Sequence, residues 1–206
     1  MKINWSYHIH TSYTHGQNSV EQIAAYCKKL KIQEIAITEH VRRKPSYQFN
    51  KLRNDIINAA EKHDIQIFTG IEAKILPDGS LDAPIDILSK ADVVIGSVHS
   101  WPENKSLMDA YTLLVKSPAT IIGHPKIVNE GLIRLLIKYK KVMEVSYKYP
   151  LNDKQLCLIQ KFPKLKLSFG TDAHQLADIK NAQEYFYEIS KKYNFTNQLW
   201  KIGKKV

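Results

Sequence analysis

The chain has 206 residues, a hydrophobic content of 44% and a formal net charge of +10, values that suit one globular domain with a substantial core. No uninterrupted apolar stretch approaches the roughly 20 residues that a membrane-spanning helix needs, and no charged-then-apolar leader precedes the first predicted strand. These features argue against a membrane protein and predict a cytoplasmic location with no membrane partner.

Strands and helices are expected to alternate along the whole chain. Short apolar runs predict strands at residues 3–7, 34–38, 65–70, 93–98, 120–123, 142–145 and 165–170. Helical patterns cover residues 20–30, 51–62, 85–89, 107–115, 130–140, 154–162 and 179–193. No internal repeat or linker interrupts this order, so residues 1–206 are predicted to form a single α/β domain.

Polar residues mark three of the predicted helix starts. Ser19 is followed three residues later by Gln22, which is the spacing of a capping box. Asn50 and Ser106 are expected to cap the second and fourth helices.

The two cysteines, Cys27 and Cys157, both fall inside helical patterns. Two such residues in a chain of this length do not indicate a disulfide framework. Both are therefore expected to be buried, reduced and unreactive.

The placement of the eight histidines is the most informative feature of the sequence. His8 and His10 are two residues apart on an extended strand, so both imidazoles leave the same face. His15 follows a polar run, where the chain is expected to turn over the end of that strand. With the carboxylates that follow other apolar runs, nine donors cluster at predicted strand ends: His8, His10, His15, His40, Glu72, His99, His124, Asp172 and His174.

These donors decide between two architectures. Seven strand–helix units predict a parallel sheet, either open and doubly wound or closed as a barrel. Strand ends across an open sheet are too far apart to meet at one point, whereas in a barrel they surround one mouth. The predicted fold is therefore a distorted (β/α)7 TIM-like barrel.

Imidazole and carboxylate donors together suit zinc, manganese or iron. Because a catalytic zinc usually takes three protein ligands, nine donors would serve about three divalent metal ions, and Glu72 could bridge two of them. Closely spaced ions stabilise the attacking and leaving oxygens of an in-line displacement. The donor set predicts hydrolysis of phosphate esters by hydroxide formed at the metal site, without a covalent intermediate.

The motifs around these donors resemble, in their order, those of the PHP (polymerase and histidinol phosphatase) family. They are His8-Ile9-His10, His15, Thr38-Glu39-His40, Gly70-Ile71-Glu72-Ala73, Ser97-Val98-His99, Gly123-His124-Pro125 and Thr171-Asp172-Ala173-His174. The resemblance runs from residue 3 to about residue 190 and is closest to histidinol-phosphatase-like members. It implies a distorted (β/α)7 barrel with a trinuclear metal site.

The resemblance also implies how the donors are shared among three ions. One ion would be bound by His8, His10, Glu72 and Asp172, the second by Glu72, His99 and His124, and the third by His15, His40 and His174. Glu72, Asp172 and His174 are the expected catalytic residues. Glu39, next to His40, is interpreted as an orienting residue or an ion-pair partner instead of a ligand.

Basic and polar residues after the strand ends are candidate substrate contacts. Arg42 and Arg43 follow His40 on a loop expected to overhang the mouth, and arginine suits bidentate recognition of phosphate. Further candidates follow the fifth and sixth strands: Lys126, Ser146 and Lys148. The alternative for each is a solvent-exposed side chain without a role in binding.

The predicted function is metal-dependent hydrolysis of small phosphomonoesters, with histidinol phosphate as one candidate substrate. The stretch Glu144-Val145-Ser146-Tyr147 departs from the Asn-containing segment of many relatives, which leaves the leaving group open. Two alternatives stay open: a nuclease or nucleotide phosphodiesterase acting on nucleic-acid ends, and a non-catalytic module that binds metal for stability.

The net charge of +10 comes mostly from lysine. Several lysines fall near predicted helix C-termini, where cations interact favourably with the helix dipole. They include Lys28, Lys29, Lys191 and Lys192, and a tail adds Lys201, Lys204 and Lys205. A dispersed, solvated lysine surface is the favoured interpretation, and attraction to nucleic acid or another polyanion is the alternative.

Overall fold

Seven strands alternate with seven α-helices in a computed structural model that describes residues 3–203. The strands are β1 (Trp5–Ile9), β2 (Glu34–His40), β3 (Gln66–Lys74), β4 (Val93–Ser97), β5 (Ile121–Ile122), β6 (Val142–Ser146) and β7 (Lys166–Gly170). The helices are α1 (Val20–Lys29), α2 (Phe49–His63), α3 (Ile85–Lys90), α4 (Leu107–Leu114), α5 (Glu130–Lys138), α6 (Asp153–Gln160) and α7 (Leu176–Tyr193), followed by a 3-10 helix, Phe195–Gln198. The predicted tail residues Lys204 and Lys205 lie outside the described part.

All neighbouring strands pair in parallel and in chain order, from β1 to β7. The chain leaving β7 then returns to β1. The backbone N–H of His10 donates to the carbonyl of Ala173 at 2.9 Å, and the N–H of Ala173 donates to the carbonyl of His8 at 3.2 Å. A parallel bridge between Ile9 and Ala173 lies at the same place. The sheet is a nearly closed barrel, which confirms the predicted (β/α)7 TIM-like fold.

The strands are covered on both faces. Every residue of β1, β4 and β6 is buried, as expected for parallel strands between a filled interior and an outer layer of helices. On α1, the residues that face the sheet recur at helical spacing: Val20, Ile23, Ala24 and Cys27. Within residues 3–203, none of the helices is both long and apolar enough to span a membrane.

The helix starts confirm two predicted caps and correct a third. The Ser19 side chain accepts the backbone N–H of Gln22 in a complete capping box, and the Ser106 side chain accepts that of Met108. The prediction that Asn50 caps α2 is wrong, because α2 begins at Phe49 with Gln48 as its N-cap. Phe49 is buried, so its packing against the core determines where the helix begins.

Three strands extend further toward the barrel mouth than their apolar runs predict. The parallel pairing of β2 with β3 continues to the pair His40 and Glu72, and β1 continues to Ile9. His8, His40 and Glu72 therefore lie within strands and not after them. Their backbones are held by the sheet, so the directions of these side chains are fixed by the strand geometry.

The two cysteines differ in their exposure to solvent. Cys27 is buried on the inner face of α1, as predicted. The prediction that Cys157 is buried is wrong, because Cys157 is exposed. On α6 the buried positions are Leu156 and Ile159, which leaves the side chain of Cys157 on the solvent side of the helix.

Candidate metal centre

The first strand directs two imidazoles toward the same pair of carboxylates. His8 and His10 are both buried, and their ring centroids lie 5.0 Å apart. The Nε2 atom of His8 lies 3.4 Å from Glu72 Oε2 and 3.8 Å from Asp172 Oδ1. The Nε2 atom of His10 lies 3.5 Å and 3.3 Å from the same two oxygens. This is the arrangement that their two-residue spacing on a strand predicts.

Glu72 on β3 is the centre of the cluster. Its side chain is 1% exposed, and its Oε1 atom lies 2.9 Å from the Nε2 atoms of both His99 and His124. Its Oε2 atom lies 2.9 Å from Nδ1 of His40. With His8 on β1 and His10 just after it, a single carboxylate is surrounded by imidazoles from β1 and β2 and from the chain that follows β1, β4 and β5. This is the environment expected of a bridging ligand.

Asp172 and His174 follow β7. Asp172 has a φ of 48°, in the left-handed region that aspartate tolerates better than most residues. The Nδ1 atom of His174 lies 2.9 Å from the backbone carbonyl oxygen of Asp172, and the His174 ring centroid lies 4.7 Å from that of His10. The turn after β7 therefore brings a carboxylate and an imidazole to the side of the cluster formed by β1.

Four sets of three donors have ligand atoms that lie within 4.8 Å of one another in the described part of the chain. They are His8, His10 and Asp172; His8, Glu72 and His124; His40, Glu72 and His99; and His10, His40 and His174. Eight of the nine predicted donors belong to at least one set. The arrangement of the sets overlaps with the sharing that the family resemblance implies but does not reproduce it ion by ion.

His15 is the predicted donor that belongs to none of these four sets. Its exposed ring lies 5.3 Å from the ring of His40, measured between centroids. Partial burial, together with the nearby His40, His174 and Arg42, lowers the pKa of His15. His15 therefore faces the rim of the cluster at a greater distance than the other donors.

The residues present fit divalent cations. The Nε2 atom of His8 and both ring nitrogens of His10 are buried and make no hydrogen bond of good geometry. Buried polar atoms are nearly always paired, so such unpaired atoms call for a partner such as an ion. Imidazole nitrogens mixed with carboxylate oxygens are the donors that zinc, manganese and iron prefer. The cluster therefore matches a metal site in both geometry and chemistry.

The electrostatics of the cluster favour a bound positive charge. Burial lowers the pKa of His8, but the carboxylates of Glu144, Glu72 and Asp172 outweigh burial and raise it well above its usual range. Burial likewise opposes ionisation of Glu72, but the charge of His8 and hydrogen bonds from imidazoles hold its pKa well below the usual value. For His10, burial dominates and lowers the pKa to about 3, which keeps this imidazole neutral and able to coordinate.

Glu144 is a residue of the site that is not among the nine predicted donors. It lies on β6, is 1% exposed, and its Oε1 atom is 2.7 Å from Nδ1 of His8. Its Oε2 atom accepts the backbone N–H of His124 at 2.5 Å. A signal for it does exist in the sequence: an acid within the apolar run Val142–Ser146 must find buried partners.

Glu39 supports the loop that carries His15. Its buried carboxylate accepts the backbone N–H of Thr11 at 2.6 Å and also accepts the hydroxyl groups of Thr11 and Thr14. Burial raises the pKa of Glu39, although these hydrogen bonds oppose the shift. Such contacts are those of a residue that orients the loop between β1 and α1.

Two of the candidate substrate contacts, Lys148 and Lys126, lie beside the proposed metal ligands. The Lys148 Nζ atom lies 3.1 Å from His174 Nδ1 and 3.7 Å from Asp172 Oδ2, and the Lys126 Nζ atom donates to the carbonyl of His99 at 3.1 Å.

The contacts of the other three candidates are mostly with residues outside the cluster. Arg42 lies near His15 and 3.7 Å from Asp82, and Arg43 is bound to Asp78 and Ser80. Ser146 is buried and accepts the backbone N–H of Tyr149 at 3.4 Å.

A cavity of about 560 Å³ opens beside His99 and His124. Lys126, Lys148 and Tyr149 line it together with apolar residues that follow β5 and β6. The Tyr149 side chain is 54% exposed, and its ring centroid lies 5.1 Å from that of His124. The cavity therefore places two cations and an uncovered aromatic ring next to the cluster.

Comparison with known proteins agrees with this geometry. The model of the PHP domain family matches residues 6–196. The DNA polymerase/3'-5' exonuclease PolX of Bacillus subtilis is 33% identical over an alignment of 141 positions, which covers 60% of this chain but only 24% of that protein. The chain thus spans about a quarter of the polymerase's length.

Two further relatives are similar over most of their length. A probable phosphatase of Caldicellulosiruptor saccharolyticus is 27% identical over an alignment of 212 positions, which covers 93% of this chain and 88% of that protein. The crystal structure of histidinol phosphate phosphatase from Lactococcus lactis, complexed with zinc, L-histidinol and phosphate, superposes with a TM-score of 0.72 at 16% identity, covering 93% and 94% of the two chains. At 16% identity, this structural similarity supports the fold alone. Because the family model covers nearly the whole barrel and its ordered motifs converge at one mouth, the chain belongs to the PHP domain family.

Proposed function

We propose that this chain is a metal-dependent phosphoesterase that hydrolyses small phosphomonoesters, and that residues 1–206 act as one PHP-type domain. The observation that carries the proposal is the environment of Glu72. Its carboxylate lies between 2.9 and 3.5 Å from a ring nitrogen of His8, His10, His40, His99 and His124. A buried carboxylate shared by so many imidazoles suits closely spaced cations better than any role in packing.

Nine donors are sufficient for three divalent ions, and zinc, manganese and iron are the candidate metals. The ligands would be His8, His10, His15, His40, Glu72, His99, His124, Asp172 and His174. The four donor sets support this number, since each offers three ligand atoms and they share His8, His10, His40 and Glu72. His15 would complete the set of His40 and His174 from the rim. When bound, such ions stabilise charge on phosphoryl oxygens and lower the pKa of water.

The protein's own residues would bind and orient the substrate. Lys148, beside His174 and Asp172, would contact the phosphoryl group, and Lys126 would contribute a second cation at the wall of the cavity. The cavity beside His124 is large enough for the leaving group of a small ester.

Glu72, Asp172 and His174 are the proposed catalytic residues, because they surround the position where the reacting group would lie. The arginines Arg42 and Arg43 and the buried Ser146 remain weaker candidates for substrate contacts. Arg43 is already bound to Asp78 and Ser80, and little of Ser146 is accessible.

The test starts with metal analysis of the purified protein. A phosphate-release screen over a panel of metabolites, including histidinol phosphate, would follow with zinc, manganese and iron supplied separately. The double variant His8→Ala with Asp172→Ala is the control for contaminating phosphatases, and circular dichroism establishes that it is folded. Wild-type protein that stays inactive with every metal would leave a metal-stabilised binding module as the better description.

A second candidate is a nuclease or nucleotide phosphodiesterase acting on nucleic-acid ends. The net charge of +10 and the similarity to the PolX exonuclease over 141 residues favour it. The assay that separates the two compares p-nitrophenyl phosphate, its bis ester and single-stranded DNA under the same metal. A preference for the bis ester or for DNA would replace the monoesterase proposal.

A further inference from the structure

The carboxylate of Glu144 contacts two of the proposed ligands from behind the cluster. Its Oε1 atom lies 2.7 Å from Nδ1 of His8, and its Oε2 atom accepts the backbone N–H of His124 at 2.5 Å. Glu144 is 1% exposed, so both oxygens are used inside the barrel. The carboxylate thereby connects β1, β6 and the residue that follows β5.

The contact with His8 determines which ring nitrogen faces the cluster. Because a carboxylate oxygen accepts hydrogen bonds, the 2.7 Å contact assigns Nδ1 of His8 as the donor. The other nitrogen, Nε2, faces Glu72 and Asp172 and makes no hydrogen bond. Metal-binding histidines commonly donate the second N–H to a carboxylate, which fixes the tautomer and makes the ligating nitrogen more basic.

The contact with His124 supports an unusual backbone. His124 has a φ of 24°, in a region that residues other than glycine rarely occupy and that has to be stabilised by surrounding contacts. Its N–H is bound by Glu144, while its Nε2 atom lies 2.9 Å from Glu72. Glu144 thus holds the backbone of His124, and Glu72 contacts its ring.

A glycine on the neighbouring strand β7 makes room for this carboxylate. A Cβ atom at position 170 would overlap Oε1 of Glu144. At position 123, after β5, a Cβ atom would collide with Ile95 but would lie at an ordinary contact distance of 3.5 Å from Oε2 of Glu144. The barrel interior is therefore shaped around the side chain at position 144.

We propose that Glu144 is a positioning residue for metal binding. It holds His8 in the tautomer that presents Nε2 to a divalent cation, and it fixes the backbone that carries the imidazole of His124. This inference rests on the metal site of the proposed function and does not depend on the identity of the substrate.

The test uses Glu144→Gln in the full chain, with zinc alone as the probe. An amide of the same size has one acceptor oxygen, whereas His8 Nδ1–H and His124 N–H are two donors, so one of the two contacts must be lost. Zinc affinity measured by calorimetry should fall by about 10- to 100-fold, the range found when a carboxylate behind a ligating histidine is removed. Asp92→Asn is the matched control, because it removes a carboxylate that accepts the N–H of Thr69 at 2.8 Å far from the cluster.

A spectroscopic measurement distinguishes positioning from mere packing. In nitrogen-15 spectra of the zinc-loaded wild type, His8 should be protonated at Nδ1 and bound through Nε2, with its signal assigned by its loss in His8→Asn. Glu144→Gln should lose this signature. A variant that is less stable but keeps both the signature and the zinc affinity would overturn the inference.

If Glu144→Gln does not fold, the wild-type spectrum decides alone, because binding of His8 through Nδ1 contradicts the proposed role. Wild-type protein that binds neither zinc nor manganese nor iron would refute the metal site itself, together with this inference. Zinc binding without phosphatase activity would leave the role of Glu144 intact and refute only the proposed reaction.

Discussion

Glu72 Oε1 and His124 Nε2 lie 2.9 Å apart inside the barrel, although 52 residues separate them in the chain. This contact joins β3 to the residue after β5 at the point where His99 also meets Glu72. Because Glu72 is nearly inaccessible to water, its charge has to be balanced by the imidazoles or by a cation held between them.

Replacing the central carboxylate should impair metal binding more than any change behind the ligands. Glu72→Gln keeps the size of the side chain but removes its charge and one acceptor. We expect zinc and manganese affinity to fall by more than the roughly 10- to 100-fold loss typical of residues that support a ligand. Calorimetry measures the affinity, and Glu130→Gln, in an exposed pair with Arg134, is the control. Unchanged affinity in Glu72→Gln would remove Glu72 from the ligand set.

Metal should stabilise the fold, because the candidate ligands come from the first and last strands of the sheet and from strands between them. A ligand at about 100 times its dissociation constant adds roughly 2.7 kcal/mol to the free energy of unfolding. For a chain of this size that corresponds to a rise in Tm of about 5–10 °C. Thermal denaturation with a chelator, and then with added zinc, manganese or iron, measures the shift. A Tm that responds to none of these ions contradicts the metal site.

Replacing Lys148 should lower the activity on the substrate and leave the affinity for metal unchanged. Its Nζ atom lies 3.1 Å from Nδ1 of His174, and Lys148 lines the cavity beside His99 and His124. Lys148→Met should lower kcat/KM for a phosphomonoester at least about tenfold, because a hydrogen bond to a charged group contributes about 1.5–3 kcal/mol. Zinc affinity should not fall. Lys192→Met, which removes an exposed pair with Asp153, is the control. Equal activity of the two variants would exclude Lys148 as a substrate contact.

Gly170 should tolerate no side chain. Gly170→Ala would force the carboxylate of Glu144 out of place, and overpacking of this kind costs about 1–3 kcal/mol of stability. Zinc affinity should fall with it. Gly131→Ala is the matched control: its nearest neighbours lie at ordinary contact distances, and the change should stabilise the protein by up to about 1 kcal/mol. Denaturant unfolding measures both, and a neutral Gly170→Ala would show that Glu144 has other space available.

The two thiols should differ in reactivity. Burial raises the pKa of Cys27 from its ordinary value of 9.0 to about 12. A neutral thiol therefore favours the folded state below pH 9.0, and this contribution is lost as the pH rises toward about 12. A thiol reagent at pH 8 should label Cys157 in the native protein and Cys27 only after unfolding. Mass spectrometry of the labelled protein, with Cys157→Ser as control, checks this; native labelling of Cys27 would contradict its burial.

The barrel and the convergence of most of the candidate donors could be predicted because two independent patterns coincide. Apolar runs of strand length alternate with helical periodicity, and imidazoles or carboxylates recur where those runs end. For His8 and His10, the two-residue spacing on a strand is enough to predict a shared face. The confirmed (β/α)7 fold then requires the strand ends to meet.

The remaining features depend on contacts that periodicity does not encode. The role of Glu144 requires knowing that β6 lies two strands from β1 across a closing sheet, and that Gly170 leaves space beside it. The greater distance of His15 from the other donors depends on the loop that Glu39 holds through Thr11 and Thr14. The predicted start of α2 is wrong for a related reason, since the burial of Phe49 places the first turn of α2 before Asn50.

The backbone hydrogen bonds that join Ala173 to His8 and His10 have a consequence for the order of events during synthesis. The first donors leave the ribosome early, whereas Asp172 and His174 emerge only after six other strands have been made. A nascent chain halted before β7 would hold its first strand without a closing neighbour and would lack the last two donors. Acquisition of the cations would then mark the closure of the barrel, and metal content would report how many molecules have closed it.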